Sequence, residues 1–369
     1  MRLLQKECGK CLRHPFLWIV CITFGLFQFL SIYTYVGNAG MRKELRQMHV
    51  AVTDEETASP EYESAYADYK KTYGGMYDTL DMRKILEQKE KKSGYEPQGV
   101  WGSWIVRNYD RLQKRVEQIR KTGEGTYAFY PGNWYKLHTT LYGKLWKKLI
   151  LQTAVLMILS MLYLMDYERI YKTQDLVLAT TTGKKMMEKK MLAGTLCGLF
   201  YAGLLTVFTL LVFFAAVPFQ NLWHVPVAAC MVAEPRLQMM YPFVTFWRLE
   251  QWRYLLLALV VLVGLLGIVA AVTAAVQLFL QNSYFSFAVL GLLFMGAYLL
   301  AYVQMGNVWD LIREFFNPTV LYATSGGWFM ENDLCLSFAG NEFAVLFCSG
   351  TAAVCLMAVG KRRYHRLEV

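Results

Sequence analysis

The sequence predicts an all-α polytopic membrane protein with six transmembrane helices and a helical extracellular domain between the first two. Three observations predict this fold. The 369 residues are 55% hydrophobic and only 18% charged, which is too apolar for an ordinary soluble domain. Six long stretches contain no Asp, Glu, Lys or Arg. A long polar segment, residues 37–148, separates the first stretch from the second.

The six uncharged stretches are residues 16–36, 149–165, 191–217, 254–280, 284–303 and 343–360. At about 1.5 Å rise per residue, each is long enough as a helix to cross or nearly cross a hydrocarbon core of about 30 Å. A membrane β-barrel is disfavoured, because its strands of about 10 residues alternate in polarity and these runs do not. Lys147 and Lys148 precede the shortest stretch, and their ammonium groups can extend to the headgroups.

Lys and Arg in the short connections predict the orientation, because basic segments resist translocation. The N-terminal segment, segment 166–190 and the C-terminal tail carry four, six and four of them, whereas 218–253 and 304–342 carry three and one. We therefore expect a multi-pass plasma-membrane protein with both termini cytoplasmic. The chain then divides into residues 1–36 with the first helix, an extracellular domain 37–148, and residues 149–369 with helices two to six. No small-residue cleavage site follows the first helix, which predicts an uncleaved signal anchor.

Charge and cysteine patterns narrow the expected partners. The net charge of +10 lies largely beside the bilayer, so anionic headgroups are the expected partner and nucleic acid is not. Cys8 and Cys11 form a lone C-x-x-C, which without a second pair predicts free thiols rather than a zinc site. Cys230 and Cys335 lie in two outer loops and could pair in an oxidising environment, which the sequence leaves open.

Apolar residues of the outer segment recur every three or four positions, as on the packing face of a helix. One run comprises Tyr62, Tyr66, Tyr69, Tyr73, Met76 and Leu80, and a second comprises Ile105, Tyr109, Leu112, Val116 and Ile119. Gly94, Pro97 and Gly99 predict a turn between the runs. We expect a helical hairpin in which these faces form the core. Contact of the Tyr-rich face with a ligand or receptor is the alternative.

None of the six stretches contains an acidic, basic or His residue, the types that mark proton relays and ion sites in membranes. A proton-coupled carrier is therefore disfavoured. The five His residues are scattered without H-E-x-x-H spacing, which disfavours an intramembrane metalloenzyme, and we expect no catalytic, metal or cofactor site. Small residues that allow close helix packing, with a moving interface as the alternative, are Gly194, Gly198, Gly203, Ala271 and Ala275.

Segment 166–190 places a short apolar patch, residues 176–179, between charged flanks. Such a segment suits a membrane interface or the groove of a partner, or is a solvated connector. The Thr residues at 180–182, followed by Gly183, predict a break before the third helix. A phosphate-binding loop is excluded, because Leu178 stands where its first Gly belongs and Lys185 follows Lys184 in place of Ser or Thr.

An outer piece before the sixth helix is amphipathic. Trp309, Ile312 and Phe316 follow each other at helical spacing, with charged residues on the other faces. This predicts a short re-entrant or interfacial helix, or an ordinary loop helix.

The segment from Glu168 through Thr180-Thr181-Thr182-Gly183-Lys184-Lys185 to Lys190 resembles the cytoplasmic loop of ATP-binding-cassette (ABC) transporter type-2 permeases. The layout is similar too, with both ends inside, a large outer domain after the first helix, an aromatic segment 241–247 before the fourth, and a semi-polar piece 307–322 before the sixth. The chain departs from the family at Lys184, where Arg is more frequent.

The resemblance implies that the chain is the permease subunit of an ABC exporter in the plasma membrane, expected to be bacterial. Segment 166–190 would be a coupling helix that docks into a separate cytoplasmic ABC ATPase subunit, and a second permease chain, identical or related, would complete the transporter. The residues expected at the ATPase contact are Glu168, Asp175, Leu176, Val177, Leu178, Thr181, Gly183, Lys184 and Lys185. The uncharged helices suit an apolar, amphipathic or peptide-like cargo. The alternative is a sensor or scaffold whose outer domain binds a ligand or partner.

Overall fold

Long helices dominate the computed structural model. It describes residues 2–38, 77–93, 99–124, 137–173, 183–217, 223–230, 234–236, 239–241, 244–303, 308–331 and 338–367, with the single positions 64, 67, 71, 75 and 219. In chain order the helices are α1 (Arg2–Leu12), α2 (Pro15–Val36), α3 (Met82–Ser93), α4 (Gly99–Thr122), α5 (Trp146–Met165), α6 (Tyr167–Ile170), α7 (Gly183–Ala216), α8 (Gln251–Leu280), α9 (Ser283–Ala301), α10 (Val308–Phe316), α11 (Thr319–Ala323) and α12 (Asn341–Leu367). Two short strands, β1 (Glu234–Arg236) and β2 (Met239–Tyr241), pair antiparallel.

In the part of the chain that the structure describes, six helical segments are long and apolar enough to cross a membrane, which agrees with the predicted number. They are Pro15–Val36 (span 1), Thr139–Met165 (span 2), Met186–Ala216 (span 3), Gln251–Leu280 (span 4), Ser283–Ala301 (span 5) and Asn341–Tyr364 (span 6). The 34 residues of α7 extend over about 51 Å at 1.5 Å per residue, well beyond a hydrocarbon core of about 30 Å. The charged first turns of α7 can therefore lie outside the bilayer while the rest spans it.

Span 2 begins earlier than its uncharged stretch predicted. A π-helical turn, Thr139–Leu145, continues directly into α5, so three lysines lie within the helix. Lys147 Nζ donates to the carbonyl of Ala323 at 3.1 Å, and Lys148 Nζ donates to Ser31 Oγ at 3.1 Å. The predicted uncharged stretch starts only after these lysines, but the helix includes them. A long lysine side chain can extend its ammonium group to a polar partner, so a lysine does not have to end the helix.

The bundle is built around two closely packed helix pairs, α5 with α7 and α8 with α12. A buried amide pair joins α2 to α5, since Gln28 Nε2 donates to Gln152 Oε1 at 2.8 Å. α9 lies at the edge of the bundle, where Tyr284 and Leu292 are 88% and 74% exposed. In a membrane these exposed apolar faces meet lipid or another chain.

Small residues lie where the paired helices approach most closely. A Cβ at Gly198 would lie 3.0 Å from Met157 Cα, and one at Gly194 would lie 3.1 Å from Met161 Cα. Gly203 lies outside this contact, because a Cβ there would meet nothing within 4 Å. On α8, Ala271 packs with Ile268 and Ala353, and Ala275 is fully buried, with its carbonyl 3.5 Å from a Cβ placed at Gly360.

The helices between spans 1 and 2 have their own core. α3 and α4 pack together, and residues 94–98, where the turn is predicted, lie outside the described residues. The buried residues of this core are Leu80, Met82, Ile85, Ile105, Tyr109, Leu112, Val116, Ile119, Ala228 and Val244. The whole second run of the predicted hairpin is therefore buried. Of the first run, Leu80 is buried, and Tyr62, Tyr66, Tyr69, Tyr73 and Met76 lie outside the described residues.

The segments before spans 4 and 6 hold this small core against the bundle. Phe246 N donates to the carbonyl of Phe329, and Glu331 N donates to that of Val244, at 3.1 and 2.9 Å. Phe329 N also donates to Glu342 Oε1 at 2.6 Å, at the start of span 6. The amphipathic piece is a helix, α10, and its Trp309 is 61% exposed while Glu314 is buried. Its apolar side therefore faces outward, as on an interfacial helix.

Candidate functional site at the base of segment 166–190

Segment 166–190 connects span 2 to α7. After Asp166 the chain forms the single turn of α6, and the amide of Thr173 then donates to the carbonyl of Glu168 at 2.8 Å. α7 begins at Gly183, and Lys184 and Lys185 lie in its first turn. The Thr residues of the predicted break, 180–182, lie outside the described residues. Asp175, Leu176, Val177, Leu178 and Thr181, all in the expected ATPase contact, lie outside the described residues.

Glu168 is buried at the base of this segment, with 6% of its surface exposed. Its carboxylate forms an ion pair with Lys190 of α7. Its Oε1 also lies 3.3 Å from Lys10 Nζ of α1. Glu168, which is expected at the ATPase contact, therefore joins Lys190 at the other end of segment 166–190 to Lys10 of the N-terminal helix.

A second carboxylate completes the arrangement. Glu7, which is 1% exposed, accepts from Lys10 Nζ at 2.7 Å. We call Glu7, Lys10, Glu168 and Lys190 the base cluster. It holds two carboxylates and two ammonium groups, so its formal charge balances. A buried charge is tolerated when its partners offset the loss of hydration, and removal of one partner leaves the other uncompensated.

Aromatic and backbone contacts fix α1 in this position. Lys10 Nζ lies 4.4 Å from the centroid of the Tyr167 ring, a cation–π contact that adds to its ion pairs. Tyr201 Oη of α7 donates to the carbonyl of Cys11 at 3.4 Å, and Trp18 Nε1 donates to that of Leu12 at 2.7 Å. α1 therefore lies along α7 as part of the bundle.

The thiols of α1 pack against α7. Cys11 is buried, and Cys197 Sγ lies 3.8 Å from the carbonyl oxygen of Cys8. Cys8, Cys11 and Cys197 form no disulfide. Burial raises the pKa of Cys8 to about 11, with proximity to Cys197 acting in the same direction. Among the described residues, no group of three His, Cys, Asp or Glu side chains is placed to hold a metal ion.

Further contacts join the same region to spans 5 and 6. Ser283 at the start of α9 donates through its amide to Asp166 Oδ2 at 3.4 Å and through its hydroxyl to the carbonyl of Leu162 at 3.2 Å. Lys361 of α12 forms an ion pair with Glu188 of α7, and both side chains are partly exposed. Elements from α1, α5, α7, α9 and α12 therefore meet around one connection. A displacement of segment 166–190 would act on all of them.

Sequence reasoning identified one of the four members of the base cluster, Glu168, as a site residue. Glu7 and Lys10 were missed, although their spacing of three residues on a helix is a recognisable signal for a pair. In the sequence, Lys10 and Lys190 are among the basic residues whose number predicts the orientation of the chain in the membrane. Cys335 lies outside the described residues, so the possible pairing with Cys230 remains a prediction.

Comparison with known proteins does not identify the function of this chain. No family model matches the chain, and no curated protein or solved structure matches it at a significant level.

Proposed function

We propose that this chain is the membrane permease subunit of an ABC exporter, which moves an apolar, amphipathic or peptide-like substrate across the plasma membrane. ATP hydrolysis would occur on a separate cytoplasmic subunit. The observation that carries the proposal is the base cluster, in which Glu168 joins Lys10 of α1 to Lys190 of α7 at the root of segment 166–190. The apolar patch 176–179, between these fixed ends, would be the part that enters the ATPase.

A mechanical link requires a stiff connection between the point where force is applied and the elements that move. Buried, charge-balanced contacts supply that stiffness, because each carboxylate that leaves its partner loses several kcal/mol, about 3–5 in comparable pairs. A displacement of residues 174–182 would then be passed to α1 and α7 together. α7 packs against α5 through the Gly194 and Gly198 contacts, so the displacement would continue into span 2.

The energy source belongs to a partner in this proposal. The sequence has no phosphate-binding loop, and its six uncharged stretches hold no side chain suited to proton coupling. Six spans are half of the twelve that the resemblance implies, so a second permease chain, identical or related, would complete the assembly. The exposed apolar faces of α2 and α9 offer surfaces for that second chain or for lipid.

Copurification tests the proposal. The tagged full chain, extracted from its native membrane in mild detergent, should recover an ATPase subunit that mass spectrometry identifies by its nucleotide-binding sequence. The double variant Lys184→Glu and Lys185→Glu should lose that subunit. Lys6→Glu with Arg362→Glu makes the same change in charge at exposed positions predicted to lie on the same membrane side, and should retain it.

Two results would reject parts of the proposal. Equal recovery with both double variants would remove Lys184 and Lys185 from the contact. Transport by the purified chain alone in liposomes, with no companion subunit and no ATP, would reject the permease assignment itself.

A further inference from the structure

A small apolar cavity that is open to the surface lies between spans 1, 2 and 3. It is at the end of the bundle from which residues 37–138 leave. The walls are mostly aliphatic and aromatic, with Ile32, Tyr35 and Val36 from span 1, Leu145 from the π-helical turn, and Phe213 and Val217 from the end of α7. Such walls suit a hydrocarbon group. Because the cavity is small and open at its mouth, it can take only a short part of a longer hydrocarbon chain.

Two lysines lie beside this cavity. Lys144 Nζ is 5.0 Å and Lys148 Nζ 5.6 Å from the centroid of the Tyr35 ring, which forms part of the cavity wall. Neither lysine has a carboxylate within 4 Å in the part of the chain that the structure describes. Lys148 uses one donor on Ser31, and an ammonium group has three. Two positively charged ammonium groups therefore adjoin an apolar space.

We propose that this cavity, with Lys144 and Lys148, binds an anionic membrane phospholipid. Part of one acyl chain fills the space between spans 1, 2 and 3, and the phosphate lies beside the two ammonium groups. An acyl chain matches the apolar walls, and a headgroup with net negative charge matches the two positive charges. A zwitterionic headgroup offers no net charge and binds more weakly. The inference stands apart from the proposed export function, since it needs neither the ATPase nor a second permease.

The matched control lies between the two lysines. Lys147 points elsewhere, because its ammonium donates to the carbonyl of Ala323 and lies 5.5 Å from the Tyr322 ring centroid. Lys147→Gln and the pair Lys144→Gln with Lys148→Gln therefore remove charge from the same helix, and only the pair changes the proposed site.

The experiment measures thermal unfolding of the full chain in detergent, with and without phosphatidylglycerol, and the lipid retained in native mass spectrometry. For the wild type we expect phosphatidylglycerol to raise Tm by several degrees and phosphatidylcholine to raise it by less than half as much. Glycerol phosphate, which has the phosphate but no acyl chain, should have no effect. The double variant should lose the Tm rise and the retained lipid, and Lys147→Gln should keep both.

A Val36→Phe variant, which places a larger side chain at the cavity wall, keeps the test decisive if the lysine variants are unstable. It retains both charges and should reduce the phosphatidylglycerol effect. Any of three results would overturn the proposal. These are no difference between the two lipids, an equal loss in Lys147→Gln, or an effect of glycerol phosphate as large as that of the lipid.

Discussion

Glu168 and Lys190 lie near opposite ends of segment 166–190, and their side chains form a buried ion pair. The pair closes that segment into a loop with a fixed base. Lys10 binds the same carboxylate from the N-terminal helix. The two ends of the segment are thereby held to α1, α6 and α7 at one point. A connection that transmits force requires such a fixed attachment.

Loss of Lys190 should destabilise the bundle. Lys190→Gln leaves Glu168 with Lys10 as its one cationic partner, and breaking a buried pair costs about 3–5 kcal/mol when the other charge stays uncompensated. Because Lys10 remains, we expect the lower end of that range. Thermal unfolding in detergent measures the change. Lys189→Gln alters the neighbouring exposed lysine and should stay within about 0.5 kcal/mol of the wild type.

A double-mutant cycle separates this ion pair from simple packing. Glu168→Gln with Lys190→Gln removes both charges, so it should cost less than the two single variants added together, because neither charge is left alone. Strictly additive losses would show that the two residues do not act on each other.

The contact between α5 and α7 depends on Gly198. Gly198→Ala would place a Cβ 3.0 Å from Met157 Cα, so the helices would have to separate, at about 1–3 kcal/mol. Gly203→Ala has open space and should be neutral or stabilising by up to about 1 kcal/mol, because Ala favours the helix. Parallel melting curves compare the two variants. A Gly203→Ala protein as unstable as Gly198→Ala would contradict this packing.

The α3–α4 hairpin is attached to the bundle through Glu331. This fully buried residue forms an ion pair with Lys89 of α3, and Tyr109 Oη of α4 lies 3.5 Å from its Oε1. Glu331→Gln should loosen the hairpin and increase hydrogen exchange across residues 82–122 more than tenfold. Glu87→Gln, an exposed change on α3, should leave exchange there unaltered. Equal exchange in the two variants would show that Glu331 does not hold the hairpin.

His138 should make the fold sensitive to acid. Burial lowers its pKa from 6.5 to about 4, while a hydrogen bond to the backbone of Gly326 acts in the opposite direction. The unfolded chain therefore takes up a proton below pH 6.5 that the folded chain accepts only near pH 4, and stability is lost as the pH falls through that window. At pH 5.5 the loss is on the order of 1 kcal/mol.

The measurement is the difference in Tm between pH 7.5 and pH 5.5. In His138→Gln that difference should be smaller than in the wild type. His224→Gln, at a side chain that is 85% exposed, should behave as the wild type does. A His138→Gln protein with unchanged acid sensitivity would assign the effect to other groups.

The six spans were predictable because a helix in hydrocarbon needs a long run without charge, and that run is visible in one sequence. The start of span 2 was not, because Lys144, Lys147 and Lys148 interrupt the uncharged run while each ammonium group still finds an aromatic or polar partner. The packing of Ile105 and the residues that follow it at helical spacing was likewise predictable. The contacts of that core with Ala228 and Val244 were not, because these residues are far away in the sequence.

The site was predictable only in part. Glu168 was predicted as a site residue from its place in a family-like segment, whereas Lys190 was only the last residue of that segment. Their pairing depends on how the intervening segment turns back, and the third partner, Lys10, comes from the other end of the chain. A single sequence does not show which cations are buried. Lys10 and Lys190 were therefore counted only among the basic residues that predict the orientation.

The central claim is that segment 166–190 contacts an ATPase subunit. The most direct test places a photoreactive amino acid at Val177 in the full chain, in its native membrane, with a control at Ser325 near the opposite end of span 2. We expect position 177, and not 325, to crosslink to a protein with a nucleotide-binding sequence, with a yield that changes when ATP and vanadate are added. Illumination at position 177 that yields lipid adducts but no ATPase peptide, or the same products from both positions, would contradict the claim.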